Sequence, residues 1–463
     1  MESPLESSRL RRILAAYTVN RLGTWIGLIA LMLAVFDETR SAVAVAALLL
    51  AGQALPAFVV PAVVARAEAS TRGRELSALY VFEALVTAML AVLLWHFWLP
   101  GVLVLSALDG TAALAASALL RAEVARAARE HAQTGAGADG RSGGSLEHEA
   151  QEAERKANAA MNVAFSVTFV LGPVIGGAIV AGAGASTALF LDSGSFLICG
   201  ALLIDLRPHV QVAGEASVRA RLRAAWKHIN EEPSLRLLLF VDALALIFFE
   251  SAAPIEVTYA KATLHVSDGG FGLLLTSWGL GAVLGSVVFA RSLRRPLGVL
   301  LSAGVFAIGL AYLGFAASPS LALVCSAALV GGVGNGVELP SLISLVQRLT
   351  PHALHGRLMG AVESLNSLCV AVGLALGGAL VAVSSPRVAF LVIGVGIIVT
   401  AIALYLVVSS AGETAVAAGD HVAGLDSPIG AVQALLPVER AEATSGNGAE
   451  AQAPTASGAS EAP

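Results

Sequence analysis

Leu171-Gly172-Pro173-Val174-Ile175-Gly176-Gly177-Ala178 returns 201 residues later as Val372-Gly373-Leu374-Ala375-Leu376-Gly377-Gly378-Ala379. Each copy lies within an uncharged run long enough to cross a bilayer, at about 20 residues per crossing. A second echo pairs Ala65-Arg66 with Ala290-Arg291 at an offset of 225 residues. The two offsets differ by about the length of a polar, Gly-rich stretch, 126–152, that only the first half contains. The chain therefore reads as two similar halves in tandem, with a solvated insertion in the first. Parallel repeats of this kind are one way in which membrane transporters are built.

Working outward from the repeat, bilayer-length apolar runs fall at 13–36, 41–64, 75–99, 101–122, 157–183, 185–206, 235–259, 269–290, 296–316, 319–345, 357–383 and 386–409. Apolar residues make up 56% of the chain and charged residues 13%, against roughly one quarter charged in soluble domains. Basic residues recur on alternate loops: Arg9, Arg11 and Arg12; Arg66, Arg72 and Arg74; Arg121 to Lys156; Arg207 to Arg236; Arg291, Arg294 and Arg295; Arg348 and Arg357. The intervening loops carry only Arg40, Lys261 and Arg387. Basic loops stay in the cytoplasm, so charge and hydropathy independently predict an even number of crossings with both termini inside. The expected fold is an all-α membrane protein of 12 transmembrane helices in two six-helix pseudo-repeat bundles.

The expected parts are a cytoplasmic N-terminus (1–12), a first bundle (13–206), a central loop (207–234), a second bundle (235–409) and a tail (410–463). The central loop sets Arg219, Arg221, Arg223 and Lys227 around Leu222, Trp226 and Ile229, the pattern of an amphipathic surface helix. The tail is rich in Ala, Gly, Ser and Pro with acidic residues and little counter-charge, so it is expected to be disordered. Arg9 to Arg12 precede a run too long for a cleavable signal, and the first span is read as retained. Cys199, Cys325 and Cys369 each lie in an apolar span without metal or redox spacing. No cofactor and no metal is implied. A net charge of −5 with no basic face argues against a nucleic-acid partner.

Ionisable side chains within a bilayer are costly and mark candidate functional positions. The acids are Glu83, Asp109, Asp192, Asp242, Glu250, Glu338 and Glu363. Removing a carboxylate from water favours its protonated form, so such groups are candidates for proton coupling or for lining a cleft. Glu250 stands first because Pro254 follows by four residues, which leaves the carbonyl of Glu250 without its helical donor and predicts a bend there. Asn20 and Arg21 are candidates for a cytoplasmic vestibule. Gly172, Pro173, Gly176 and Gly177, with Gly334 and Gly336 in the run Gly331-Gly332-Val333-Gly334-Asn335-Gly336, are candidate gating, hinge or close-packing positions.

Several of these stretches resemble the major facilitator superfamily, and within it the multidrug, macrolide and enterobactin exporter branch, over roughly residues 10–409. Asn20-Arg21-Leu22-Gly23-Thr24-Trp25 is similar to that branch's first span, and Ser41 through Gln53-Ala54-Leu55-Pro56 to its second. Gly172 to Gly177 resembles its fifth-span antiporter motif. Asp192 with Ser195-Phe196 falls where the branch often has an Asp and a Phe. Gln347, Pro351, Gly356 and Arg357 resemble the loop between its tenth and eleventh spans. In the loop between the second and third spans the family's Gly and Asp are absent, and Val63-Val64-Ala65-Arg66, Arg72 and Arg74 stand instead; the classical fourth-span Arg is absent too.

The resemblance implies alternating-access export, coupled to protons, of a bulky amphipathic small molecule such as a drug, macrolide or siderophore. It would act as a monomer in the plasma membrane. No Gly-x-x-x-x-Gly-Lys-Ser/Thr loop is present for ATP. A lipid-acting membrane enzyme would need a nucleophile–base pair or a metal cluster, which the chain does not display. A transporter-shaped sensor or scaffold is the remaining alternative.

Overall fold

The computed structural model describes residues 8–68, 75–137, 143–204, 226–292, 295–350 and 354–417. Among these it contains helices and no strand, and twelve of the helices are long and apolar enough to span a membrane. We number them α1 (Arg9–Thr39), α2 (Ala42–Val60), α3 (Glu75–His96), α4 (Leu99–Val124), α5 (Glu152–Ala183), α6 (Ala185–Leu202), α7 (Pro233–Thr263), α8 (Asp268–Arg291), α9 (Leu297–Ala317), α10 (Leu321–Arg348), α11 (Gly360–Val383) and α12 (Pro386–Ser409). This is the twelve-helix membrane architecture that hydropathy and charge predict.

Helix boundaries depart from the apolar runs in three places. The α4 helix continues to Gly137 and the α5 helix begins at Gly143, so most of the 126–152 stretch is helical. Its Ala, Arg, Glu and Gln content is strongly helix-forming even though it is polar. The α12 helix continues to Ala417, past the expected start of the tail. The tail from 418 on, and 205–225 of the central loop, lie outside the described residues. Span α7 is interrupted at Ser251, immediately after Glu250, resumes over Ala252–Thr258 and ends in a π turn over Tyr259–Thr263.

The two halves turn their first corner by the same device. Arg40, after α1, and His265, after α7, both adopt left-handed backbone (φ 51° and 54°). One and two residues later Ser41 and Ser267 cap the next helix, each hydroxyl accepting from the backbone N–H three residues on, at 3.3 Å. Left-handed closure followed by a Ser cap satisfies the free groups of consecutive helix ends.

The glycine pairs of the repeat have a common physical reason. A Cβ at Gly176 would press on Ile26 of α1, and one at Gly377 on Ser251 and Pro254 of α7, the pseudo-equivalent helix. The following glycine faces the other bundle. A Cβ at Gly177 would fall 2.6 Å from the carbonyl oxygen of Asp268 on α8, and one at Gly378 would fall 2.8 Å from Ala46 on α2. In each half, then, the first glycine admits a helix of its own bundle and the second admits a helix of the opposite one. Small residues of this kind let helix backbones approach where no hydrophobic drive acts between helices in lipid. In α10, Gly332 and Gly336 press on backbone carbonyls of α8, at Trp278 and Ala282, while Gly334 meets Gly304 of α9. That run is a three-helix packing knot within the second bundle.

Candidate functional site

The expected acids gather in two groups, one per bundle, with Glu363 apart. In the first bundle Glu83 is fully buried, and neither of its carboxylate oxygens has a hydrogen-bond partner. Asp109 accepts from the Thr87 hydroxyl at 3.0 Å. Asp192 is buried against α1, where Gly23 and Gly27 leave room for it: a Cβ at either would strike its carboxylate. Ser195 donates to Asp192 Oδ1 at 3.3 Å. The three carboxyl groups lie within electrostatic reach of one another.

Asn20, also buried, donates to the Tyr80 hydroxyl at 3.4 Å and accepts from Thr24 at the same distance. Arg21 lies over the Phe165 ring, 5.1 Å from its centroid, with its Nε buried and unpartnered. Trp25 packs on Phe169 of α5 at 5.1 Å between ring centroids. Asn20 therefore belongs to the packed polar interior of the bundle and Arg21 to its α1–α5 contact.

In the second bundle Asp242 and Glu338 border one cavity of about 110 Å³, with Asn335 and Asn366 also on its wall. Glu250 stands at the α7 break. It shares the neighbourhood of Tyr312 with Glu256, an acid that sequence reading did not single out. Tyr312 belongs to an aromatic cluster, with ring centroids 5.5 Å from Trp278 and 5.7 Å from Phe390; Phe249, beside Glu250, lies 5.8 Å from Trp278. Glu256 sits near the end of its span, where a charge reads as interfacial. Asn366 is one uncharged polar residue in a long run and carries no local signal. Glu363, in the first turn of α11, is exposed and joins neither group.

The bundles meet tightly at one end. Lys261 of α7 pairs with Asp268 of α8 and reaches Asp37 of α1 at 3.7 Å, and Arg40 holds the same Asp37 at 3.6 Å. Close by, α5 crosses α8 along Gly177 and Gly272, and Thr276 of α8 donates to the carbonyl of Val170 at 3.0 Å. On the other side of the interface α11 packs along Ala42–Ala54. Beyond it, toward the end that carries Arg9 and Arg348, Leu55, Phe58 and Val59 of α2 and Val163 of α5 are exposed. There the bundles are tied internally, as where Arg9 of α1 pairs with the buried Glu123 of α4. The described ion pair and side-chain hydrogen bond between the bundles lie toward the Lys261 end. Arg72, Arg74 and Pro351, the side chains of Arg66 and Arg357, and the surroundings of Gly356 lie outside what the structure describes.

A molecule of twelve membrane-length helices in two bundles, each with buried acids, is a multi-pass membrane protein of transporter fold. The sequence profile of the Major Facilitator Superfamily matches residues 238–441. Over that stretch the chain is similar to that superfamily. It is 27% identical over 263 residues to the multidrug efflux pump Tap of Mycolicibacterium fortuitum, covering 55% of this chain and 61% of that one. It is 27% identical over 246 residues to the enterobactin exporter EntS of Citrobacter koseri, covering 51% and 57%. The chain thus spans about three fifths of the length of the curated relatives it matches. Among solved structures, the nucleoside transporter NupG superposes with a TM-score of 0.66 at 11% identity, covering 86% of this chain and 99% of that one. A bacterial homologue of the iron transporter ferroportin in an inward-facing state gives 0.61 at 15%, covering 86% and 97%. These likenesses show the fold alone.

Proposed function

We propose that this chain is a secondary active exporter that moves a bulky amphipathic small molecule outward in exchange for protons, by alternating access. The observation that carries the reading is the pairing of two helical bundles, tied across Lys261 and Asp37 and along the glycine crossings, with buried acids inside each. The basic loops support a cytoplasmic position for the end that carries Arg9 and Arg348 and for both termini, so cargo would enter between the bundles from inside the cell. The plasma membrane is the proposed location and the single chain the proposed working unit. The efflux relatives support outward direction.

Glu83 suits the proton path and is poorly placed to touch cargo, because it is sealed within its bundle. A lone charge there would cost several kcal/mol, so proton uptake and release must accompany movement of α1, α3 and α6 around it. Glu250 suits the same task in the second bundle, at a bend where α7 can flex. The amphipathic body would lie between the bundles, against Phe58 and Val163. Expression in a pump-deficient host tests the reading. Resistance or dye exclusion that a proton uncoupler abolishes is the expected result; a host with unchanged accumulation of every macrolide, dye and siderophore tried would leave the sensor or scaffold alternative.

A further inference from the structure

One cation in the first bundle lacks the partner that its chemistry demands. Arg21 follows Arg9 by 12 residues on α1, which sets it about 18 Å from that end of the helix and near the middle of the span. Its guanidinium lies over the Phe165 ring, its Nε is buried and unpartnered, and no described residue gives the side chain a hydrogen bond or an ion pair. Its electrostatic neighbours are Tyr17, one turn back on α1, and a second cation, Arg121 of α4, rather than a carboxylate. The buried acids elsewhere in the molecule can shed their charge by taking up a proton. A guanidinium keeps its proton in proteins, so an anion is what balances it.

The surroundings decide which anion fits. Phe165 stacks on Phe169, with ring centroids 5.8 Å apart and planes at 9°. Trp25, one turn along α1 from Arg21, packs on Phe169, and its indole Nε1 is also buried and unpartnered. Stacking on a ring engages the face of a guanidinium and leaves its rim of N–H donors for the two oxygens of a carboxylate. The indole is one more donor without an acceptor. Phe169 lies where the bundles cross, since a Cβ at Gly279 of α8 would fall 3.0 Å from its carbonyl oxygen. Phe165 stands one turn nearer the Arg9 end and keeps 38% of its surface exposed. A flat ring held there has aromatic surface to rest on beside the guanidinium; an inorganic anion would leave that surface unused.

We propose that Arg21, with the Phe165–Phe169 stack and the Trp25 indole, forms a subsite on the first bundle for an aromatic carboxylate, the acid held by the guanidinium and the flat body by the rings. The proposal rests on the exporter reading for the fate of that molecule, but binding is measurable without transport.

The full-length chain in phosphatidylcholine nanodiscs is titrated with 2-naphthoate, its neutral analogue 2-naphthalenemethanol and its saturated analogue decahydro-2-naphthoate, with empty nanodiscs as the blank. Naphthoate is expected to bind roughly ten- to hundred-fold more tightly than the alcohol, the range that hydrogen bonds to charged groups provide. The saturated acid is expected to fall several-fold short of naphthoate, roughly the margin that ring contacts add. Arg21→Gln is expected to bring naphthoate down to the level of the alcohol, while binding of the alcohol persists and reports that the variant is folded. Where Arg21→Gln does not fold, Arg21→Lys carries the test: it keeps the charge without the planar fork, and the preference is expected to drop about three-fold or more. Equal binding of naphthoate and the alcohol, equal binding of the flat and saturated acids, or an undiminished preference in either variant overturns the proposal. Displacement of naphthoate by millimolar chloride or phosphate would overturn it in favour of an inorganic anion. Displacement on replacing part of the phosphatidylcholine by phosphatidylglycerol would do so in favour of a lipid head group. Intact binding with no uphill transport in proteoliposomes would sink the exporter reading and leave the subsite standing; uphill transport of neutral cargo with no preference for naphthoate would do the reverse.

Discussion

Glu83 shows how a single side chain constrains mechanism. Its two oxygens have no partners in the described structure, so the neutral isostere Glu83→Gln fills the same space without a charge to solvate. The variant is expected to reach the membrane in normal amount and unfold no earlier, yet to lose substrate-driven proton movement in proteoliposomes; unchanged proton flux would remove Glu83 from the path. Glu250→Gln is expected to give the same loss from the other bundle. His265 offers a prediction about folding alone. A non-Gly residue at φ 54° carries about 1 kcal/mol of strain that glycine lacks, so His265→Gly should raise the unfolding temperature in detergent slightly without changing transport.

Residues such as these were legible to different degrees. Glu83, Asp109, Asp192, Asp242 and Glu338 stand out in the chain because any charge in an apolar run does. Their partition into two groups is not legible, since it depends on which helices are neighbours. Glu256 and Asn366 passed unnoticed for the same reason. A charge near a span end and a lone amide acquire meaning only when a bent helix or a cavity wall surrounds them. Glu363 looked like its fellow acids in sequence, yet the position of α11 leaves it outside both groups.

At the scale of elements, the glycine pairs explain why the repeat survived in two halves that otherwise differ. Each pair sits where two helices cross at backbone distance, and a larger side chain has nowhere to go. Gly332→Leu in the α8–α9–α10 knot is expected to cost at least the 1–3 kcal/mol typical of overpacking, and to be seen as lost expression or a lowered unfolding temperature. A well-folded Gly332→Leu protein with wild-type stability would show that the knot is looser than described. Hydropathy located the helices well; it missed the polar continuations of α4 and α5 because helix propensity and water affinity are separate properties, and Ala-Arg-Glu sequence has both.

For the whole molecule, the interface is fastened at one end by Lys261 between Asp37 and Asp268. Such partly exposed ion pairs are worth about 1 kcal/mol or less, enough to bias two conformations of similar energy without locking either. Lys261→Met is therefore expected to increase labelling of Ala46→Cys by an impermeant maleimide added outside cells up to about five-fold. No change in labelling would mean that the glycine crossings alone keep that end shut.

Those crossings come as a mirrored couple, Gly177 of α5 against α8 and Gly378 of α11 against α2, one on either flank of the interface. A rocking bundle must unseat both seams in the same stroke, much as a lid with two clasps lifts only when neither is caught. A wedge at either glycine alone would then be as damaging as wedges at both, and the two lesions together should cost little more than one.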